Sequence, residues 1–404
     1  MAESANPKPK RNYFLRRGWK DFLFLIALAG MSYKGYQIIH PSGSSTADDL
    51  DYWKNRPSLN LSNVSVASAP CFFLKLSTAS AGPESGAVAD CLSLIPNGIV
   101  YDLVEVDLSQ GNVIPVKTDL SVADLMPLAF TRTYWPVDDW FKHNGSYIPH
   151  VYDPYLTGSR LPYTYIDWTL PDHRNVHFPR VSAGTGYADS VCQADSAAPA
   201  AFAGAKIGWD GWGWALALPD GTAYLSPEAY NATRPQQGSL SGIFDKDGNE
   251  IRFSRAENGD LRQVETPSGK FIRLSYTDGK LTGLEDSSGN RVSYAYDSQS
   301  RPATVTYSRA ESVVYAYDDA NFLTAIESPP GNQILAVSYD ARHNVTGLAL
   351  AGGKNYSIRY GEVFQNIFQS AEVTAPDGSA TRVSIQPRSY SAGKMSAGAS
   401  SPHP

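Results

Sequence analysis

The sequence lacks the signatures of several familiar protein classes. Its three cysteines, Cys71, Cys91 and Cys192, form no CxxC or Cys/His pattern, which argues against a zinc site. A Cys71–Cys91 disulfide and three free thiols both stay open. The net charge is −6, so the chain has no basic excess that would favour a nucleic-acid partner.

Catalytic and cofactor motifs are also missing. The sequence contains no HExxH, P-loop, GxSxG or strand-linked GxGxxG pattern, so we predict no cofactor and no metal. His173 and His177 have i, i+4 spacing, but their surroundings are typical of a turn and a strand, on which these positions lie about 13 Å apart. An enzyme is therefore not expected, although the question stays open.

The residues that are abundant favour β-structure. The chain holds 24 Tyr, 8 Trp, 33 Gly and 27 Pro in 404 residues. Aromatic residues favour strands, while Gly and Pro mark turns. We therefore predict an all-β protein.

The N-terminus has the charge pattern of a membrane-directed segment. Residues 1–20 carry six Lys or Arg and one acidic residue, and an apolar run from Phe22 to Met31 follows, which extends to Ile39 if Lys34 is tolerated. An uncleaved signal anchor, a cleaved signal peptide and a buried helix all fit. We favour the anchor, with residues 22–39 in the inner membrane and the bulk of the chain in the periplasm or at the cell surface.

Composition divides the chain into five parts. Residues 1–40 are the basic flank and anchor helix, 41–97 a linker with short ordered pieces, and 98–240 an aromatic-rich β module. Residues 241–386 are hairpin repeats, and 387–404 form a Ser-, Ala-, Gly- and Pro-rich tail that we expect to be disordered.

Tryptophan residues in the aromatic-rich module suggest a ligand surface. Exposed rings can stack on sugars, which predicts a glycan-binding or glycan-processing site within residues 130–215; core packing is the alternative role. The candidate ligand-binding residues are Trp135, Trp140, Trp168 and Trp212.

The region after Gly242 repeats one strand pattern, apolar-x-apolar-x-Tyr. The last aromatic residue of the pattern recurs at a nearly constant interval, as Phe253, Tyr276, Tyr296, Tyr317, Tyr339 and Tyr360. A second, shorter strand follows each of the first five, with apolar residues at 261/264, 281/284, 302/305, 323/326 and 345/348. A period of about 20 residues predicts one antiparallel hairpin per repeat, stacked edge to edge.

The repeats resemble the YD repeats of Rhs-family proteins. The resemblance rests on Tyr-Asp dipeptides in phase with the period, Tyr296-Asp297, Tyr317-Asp318 and Tyr339-Asp340. Residues 111–116 (GNVIPV) and 127–134 (PLAFTRTY) are similar to the module that introduces an Rhs shell. We expect the aspartates to accept hydrogen bonds from turn N–H groups, a structural role.

The resemblance implies hairpins that wind into a curved extended sheet or partial shell. Long Rhs proteins enclose a toxin, but six or seven hairpins are too few for a closed cocoon, and the short tail 387–404 leaves no room for a toxin domain. We therefore predict a non-catalytic, membrane-tethered β-scaffold. Expected partners are a longer Rhs protein or another protein at an exposed sheet edge, a carbohydrate, and the membrane.

Overall fold

The fold is taken from a computed structural model, which describes residues 73–77, 103–134, 148–171, 175–196, 198–229, 231–309, 311–364 and 367–385. All of them lie within one compact unit, Ser58–Pro404. The predicted anchor, most of the linker and the tail lie outside these residues. Within them, no helix has the length and apolar character needed to span a membrane.

The chain begins with a four-stranded antiparallel meander. Its strands, paired in sequence order, are β1 (Phe73–Ser77), β2 (Leu103–Asp107), β3 (Asn112–Val122) and β4 (Leu128–Thr133). Most residues of β2, β3 and β4 are buried, including consecutive ones that point to opposite faces. The meander is therefore covered on both sides.

A small three-stranded sheet follows. It consists of β5 (Tyr155–Gly158), β6 (Tyr165–Thr169) and β7 (Asn175–Pro179). An isolated antiparallel β-bridge pairs Arg180, which follows this sheet, with Cys192 of the next sheet.

The main element is one antiparallel sheet of 18 strands within the described residues. Successive strands pair with each other, apart from one small hairpin that is inserted near the C-terminal end of the sheet. The strands are β8 (Val191–Gln193), β9 (Lys206–Trp209), β10 (Gly213–Ala217), β11 (Ala223–Pro227), β12 (Gly242–Phe244), β13 (Glu250–Arg255), β14 (Leu261–Glu265), β15 (Phe271–Thr277), β16 (Lys280–Asp286), β17 (Arg291–Tyr296), β18 (Pro302–Tyr307), β19 (Ser312–Tyr317), β20 (Leu323–Ser328), β21 (Asn332–Tyr339), β22 (Val345–Leu350), β23 (Lys354–Tyr360), β26 (Ser370–Thr374) and β27 (Ala380–Ser384); the inserted pair is β24 (Val363–Phe364) and β25 (Ile367–Phe368).

A β-bulge in each central hairpin explains the i, i+3 spacing of the apolar pairs. In β15–β16, Ser275 pairs with Gly283 but Tyr276 pairs with Leu281, so Thr282 is the extra residue. The same shift recurs in the next three hairpins. Because of this extra residue, Leu281 and Leu284 point to the same face of the sheet although they are three residues apart, and both are buried.

The predicted all-β fold of hairpin repeats is confirmed. One hydrophobic core runs from Val104 to Ile385 and includes residues of the three larger sheets. The proposed boundary between residues 240 and 241 falls inside the large sheet, because β11 pairs with β12 through Leu225 and Gly242. The repeats and the last part of the preceding module thus share one sheet.

Several hairpin turns place one residue in the left-handed region. It is Gly289 (φ 83°) in one turn and Ser300, Asn321 and His343 (φ 68°, 73° and 62°) in others. In each case the N–H of this residue donates to the carbonyl oxygen three residues earlier. The position favours glycine or a polar residue, since these adopt the left-handed region most readily.

We expect Gly289→Val to destabilise the protein by roughly 1–2 kcal/mol, because a β-branched residue is strained at positive φ. Gly289→Asn should be nearly neutral, since Asn321 occupies the equivalent place and no atom lies within 4 Å of a Cβ at 289. Denaturant unfolding measures both variants. Equal losses would contradict the explanation by backbone conformation.

Candidate functional site

The repeat tyrosines link neighbouring hairpins. In the three central repeats the tyrosine hydroxyl donates to the carbonyl oxygen of the residue that begins the apolar pair of the preceding repeat: Tyr296 to Leu281 at 2.6 Å, Tyr317 to Pro302 at 2.7 Å and Tyr339 to Leu323 at 2.7 Å. The bulge leaves these positions irregular in the strand ladder, and a side chain from the next hairpin binds there. The tyrosines therefore join the repeats in series.

Each tyrosine ring also packs on a side chain of the preceding repeat. The Lys280 ammonium lies 5.4 Å from the centroid of Tyr296, and the Arg301 guanidinium lies 4.6 Å from that of Tyr317. In the next repeat Phe322 takes this place, 5.5 Å from Tyr339. The position thus accepts either a cation or an aromatic ring, because both bind a tyrosine ring favourably.

The repeat aspartates hold the turns. One carboxylate oxygen of each accepts the backbone N–H groups two and four residues later: Asp297 from 299 and 301, Asp318 from 320 and 322, and Asp340 from 342 and 344, all at 2.8–3.0 Å. Asp245 and Asp286, which no Tyr precedes, make the same pair of bonds. The aspartate thus belongs to the turn and not to the Tyr-Asp dipeptide.

The protonation of these groups suits structure more than chemistry. Burial raises the pKa of Tyr317 and of Tyr339 above its usual value, so both stay neutral donors. Burial opposes ionisation of Asp297 and Asp340 as well, but the hydrogen bonds outweigh it and lower both carboxyl pKa values. The described residues contain no group of three His, Cys, Asp or Glu side chains that could hold a metal ion.

The tyrosines at the two ends of the series have other ring partners than the central ones. The ring of Tyr276 lies 5.2 Å from the Arg262 guanidinium. The ring of Tyr360 stacks on Phe368 with centroids 4.2 Å apart, and its buried hydroxyl meets no hydrogen-bond partner among the described residues. Tyr360 therefore retains the packing role without the hydroxyl bond.

We expect Tyr317→Phe to cost roughly 1 kcal/mol of unfolding free energy, because it removes the hydroxyl bond to Pro302 and keeps the ring. Tyr360→Phe is the matched control, and its cost should be near zero. Urea unfolding followed by circular dichroism compares them. A similar loss in both variants would show that the hydroxyl bond does not stabilise the series.

The N-terminal meander lies against the face of the hairpin sheet that carries the buried residues. The Gly111 carbonyl accepts the Val345 N–H at 2.8 Å, and the Ser109 carbonyl accepts the Phe368 N–H at 2.9 Å. Further along, the Tyr134 hydroxyl donates to the Asn321 carbonyl at 2.8 Å. Contacts from several hairpins thus hold the meander in one position.

A buried polar cluster lies between the meander and the hairpins. Asp119 on β3 and Arg132 on β4 form an ion pair at 2.6 Å, with side chains 0% and 7% exposed. Three tyrosines from the hairpins complete it: Tyr294 and Tyr307 donate to the two Asp119 oxygens at 2.6 and 2.7 Å, and Arg132 donates to Tyr315. Every one of the five side chains is therefore bound within the cluster.

The electrostatics of this cluster keep the Arg132 guanidinium protonated and the Tyr294 hydroxyl neutral. Burial disfavours the Arg132 guanidinium, but Asp119 and the neighbouring tyrosines outweigh that effect and raise its pKa above the usual range. Burial and the Asp119 carboxylate both raise the pKa of the Tyr294 hydroxyl, which remains a donor. Asp119 and Arg132 were not predicted from the sequence, although each is a charged residue in a strand that also carries several apolar ones.

We expect Asp119→Asn and Arg132→Met each to cost about 3–5 kcal/mol, because each leaves the other charge buried and unpaired. The double variant should be more stable than either single variant, since it removes both charges together. Denaturant unfolding of the four proteins gives the coupling free energy. Strictly additive losses would mean that the pair does not act as a unit.

The predicted ligand-binding tryptophans have different environments. Trp168 is 2% exposed, and its ring packs edge-on against Tyr224 with centroids 5.7 Å apart, so it offers no face to a ligand. Trp212 is 45% exposed, in the turn between β9 and β10. Trp135 and Trp140 lie outside the described residues.

Comparisons with known proteins identify a repeat family. Residues 277–312, which contain Tyr296 and Asp297, match the family model of the RHS repeat. This match confirms the predicted resemblance to Rhs and YD-repeat proteins. No curated protein sequence matches the chain.

Among solved structures, the chain is similar to a part of each of two much longer chains. A crystal structure of TcdB2-TccC3-TEV is 13% identical, with a TM-score of 0.28, and the match covers 70% of this chain and 15% of that one. A Photorhabdus luminescens Tc holotoxin pore is 12% identical, with a TM-score of 0.29 and the same coverage. The match thus spans about 15% of the length of these structures.

Proposed function

We propose that this RHS-repeat β-scaffold is non-catalytic, is tethered to the inner membrane by residues 22–39, and displays its folded part on the periplasmic or outer side, where it acts in binding or as part of a shell. The observation that carries the proposal is the occupied face of the hairpin sheet. The chain's own meander covers that face, so it serves as the interior of a scaffold and not as an open active site.

The chemistry of the described polar groups supports a structural role. The Asp119–Arg132 cluster lies buried between the meander and the hairpins, and each of its members is bound by another. General acid–base catalysis needs a titrating group that can reach a substrate. An ion pair that is hydrogen-bonded to tyrosines supplies rigidity instead.

The charge pattern of the N-terminus supports the tether and its direction. Lysine and arginine flanking an apolar helix favour the cytosolic side. The residues after position 40 would then be outside the cytosol, where a partner such as a longer RHS-repeat protein can assemble with them.

We expect the full chain with a C-terminal epitope to sediment with membranes, and protease added to spheroplasts to remove the epitope. Leu25→Arg/Leu28→Arg should release the protein from the membrane fraction, since each arginine at a helix centre costs roughly 2.5–3.5 kcal/mol. Leu25→Ile/Leu28→Ile is the matched control and should behave as wild type. An epitope that survives in spheroplasts, with a cytosolic marker intact, would contradict the proposed topology.

A further inference from the structure

Four aromatic side chains, Tyr163, Tyr187, Trp209 and Trp214, form a cluster, and with the exposed Trp212 of an adjoining turn they are called the aromatic platform. Four of the rings contact one another in a closed circuit, with centroid distances of 6.2 Å (163–187), 5.0 Å (187–209), 5.5 Å (209–214) and 5.8 Å (214–163). Tyr187 is 44% exposed, and Trp212 lies in the turn that joins the strands of Trp209 and Trp214. The platform therefore combines a packed base with accessible rings.

Arg180 holds the loop that presents Tyr187. Its guanidinium donates to the carbonyls of Tyr163, Ala183 and Gly186 at 3.2, 2.7 and 2.6 Å, and pairs with Asp189 at 3.1 Å. The Arg180 side chain is itself only 6% exposed. The loop is thus fixed by a buried charged side chain while its aromatic residue faces solvent.

The turn that presents Trp212 is fixed in a similar way. The Asp210 carboxylate accepts the backbone N–H groups of Trp212 and Gly213, both at 2.9 Å. Both exposed rings therefore stand on turns held by charged side chains. Such preorganisation lowers the entropy that a ligand must remove on binding.

Polar groups border the platform beside Trp214. Its indole N–H donates to one oxygen of Glu228 at 3.2 Å, and Arg160 donates to the other at 3.2 Å. The Arg160 and Glu228 side chains are 37% and 32% exposed, so they remain accessible to a ligand. Together with Tyr163 they line a shallow cleft of about 30 Å³.

We propose that the aromatic platform and the Arg160–Glu228 pair form a binding site for a neutral saccharide. A pyranose has an apolar C–H face, which packs on an aromatic ring, and hydroxyls at its edge, which bond to a carboxylate and a guanidinium. The arrangement matches ligand sites in which aromatic surface gives affinity and a few fixed polar groups give orientation.

The dimensions and charge of the site favour this occupant. A cleft of about 30 Å³ cannot enclose a sugar ring, so the saccharide lies across the open platform. The paired charges of Arg160 and Glu228 cancel, which favours a neutral ligand over a charged one. A stable protein partner buries about 800 Å² per side, far more than these few exposed rings supply. The site does not depend on the proposed membrane tether.

The test is isothermal titration of the full chain in detergent with cellohexaose, maltohexaose and chitohexaose. We expect at least one of them to bind with a Kd below about 10 mM, and Trp212→Ala and Tyr187→Ala each to weaken binding about tenfold or more. Glu228→Gln should weaken it less, because the amide still accepts hydrogen bonds. Phe364→Ala is the matched control, since Phe364 is 55% exposed on the separate β24–β25 hairpin, and its affinity should stay unchanged.

Circular dichroism confirms that each variant is folded before titration. Lack of binding by all three saccharides would overturn the proposal. So would retained affinity in Trp212→Ala and Tyr187→Ala. If light scattering shows that these variants lose self-association and no saccharide binds, the platform is a protein interface instead. None of these outcomes bears on the topology experiment, so the two proposals fail separately.

Discussion

The buried ion pair between Asp119 and Arg132 is the interaction on which the rest of the structure depends. Removing two charges from water is costly, and the cost is offset only when the remaining hydrogen-bonding sites are filled. The meander supplies the charges and the hairpins supply the hydroxyls of Tyr294, Tyr307 and Tyr315. Neither part satisfies the cluster alone, so the cluster is complete only where the meander and the sheet meet.

The hairpin sheet has a different source of cohesion. Every repeat adds a strand pair, and in the central repeats a tyrosine hydroxyl donates a hydrogen bond to the repeat before it, as Tyr317 does to Pro302. These contacts are local and nearly identical, which is typical of repeat proteins. The ion-pair cluster is the opposite case, because it joins β3 and β4 to hairpins that come much later in the chain. Repetition builds the sheet, and contacts with the distant meander give it an interior.

Charged side chains also hold the turns at the surface. Arg180 and Asp210 form bonds that fix two turns, and the aromatic rings of Tyr187 and Trp212 remain exposed on those turns. This fixed presentation of exposed rings is the feature on which the proposed saccharide site rests.

The sequence by itself determined the all-β class, the hairpin period and the turns, because strand alternation and left-handed turn residues act over a few neighbours. Even the irregular spacing of Leu281 and Leu284 was visible, although its cause, the bulge at Thr282, was not. Only the tertiary structure decided that Trp168 is core while Trp212 is exposed, and that Asp119 meets Arg132 among tyrosines. The burial of a tryptophan and the pairing of two distant charges depend on which strands that are far apart in the sequence come together. The repeat period does not predict those contacts, because it reflects only the contacts between neighbouring hairpins.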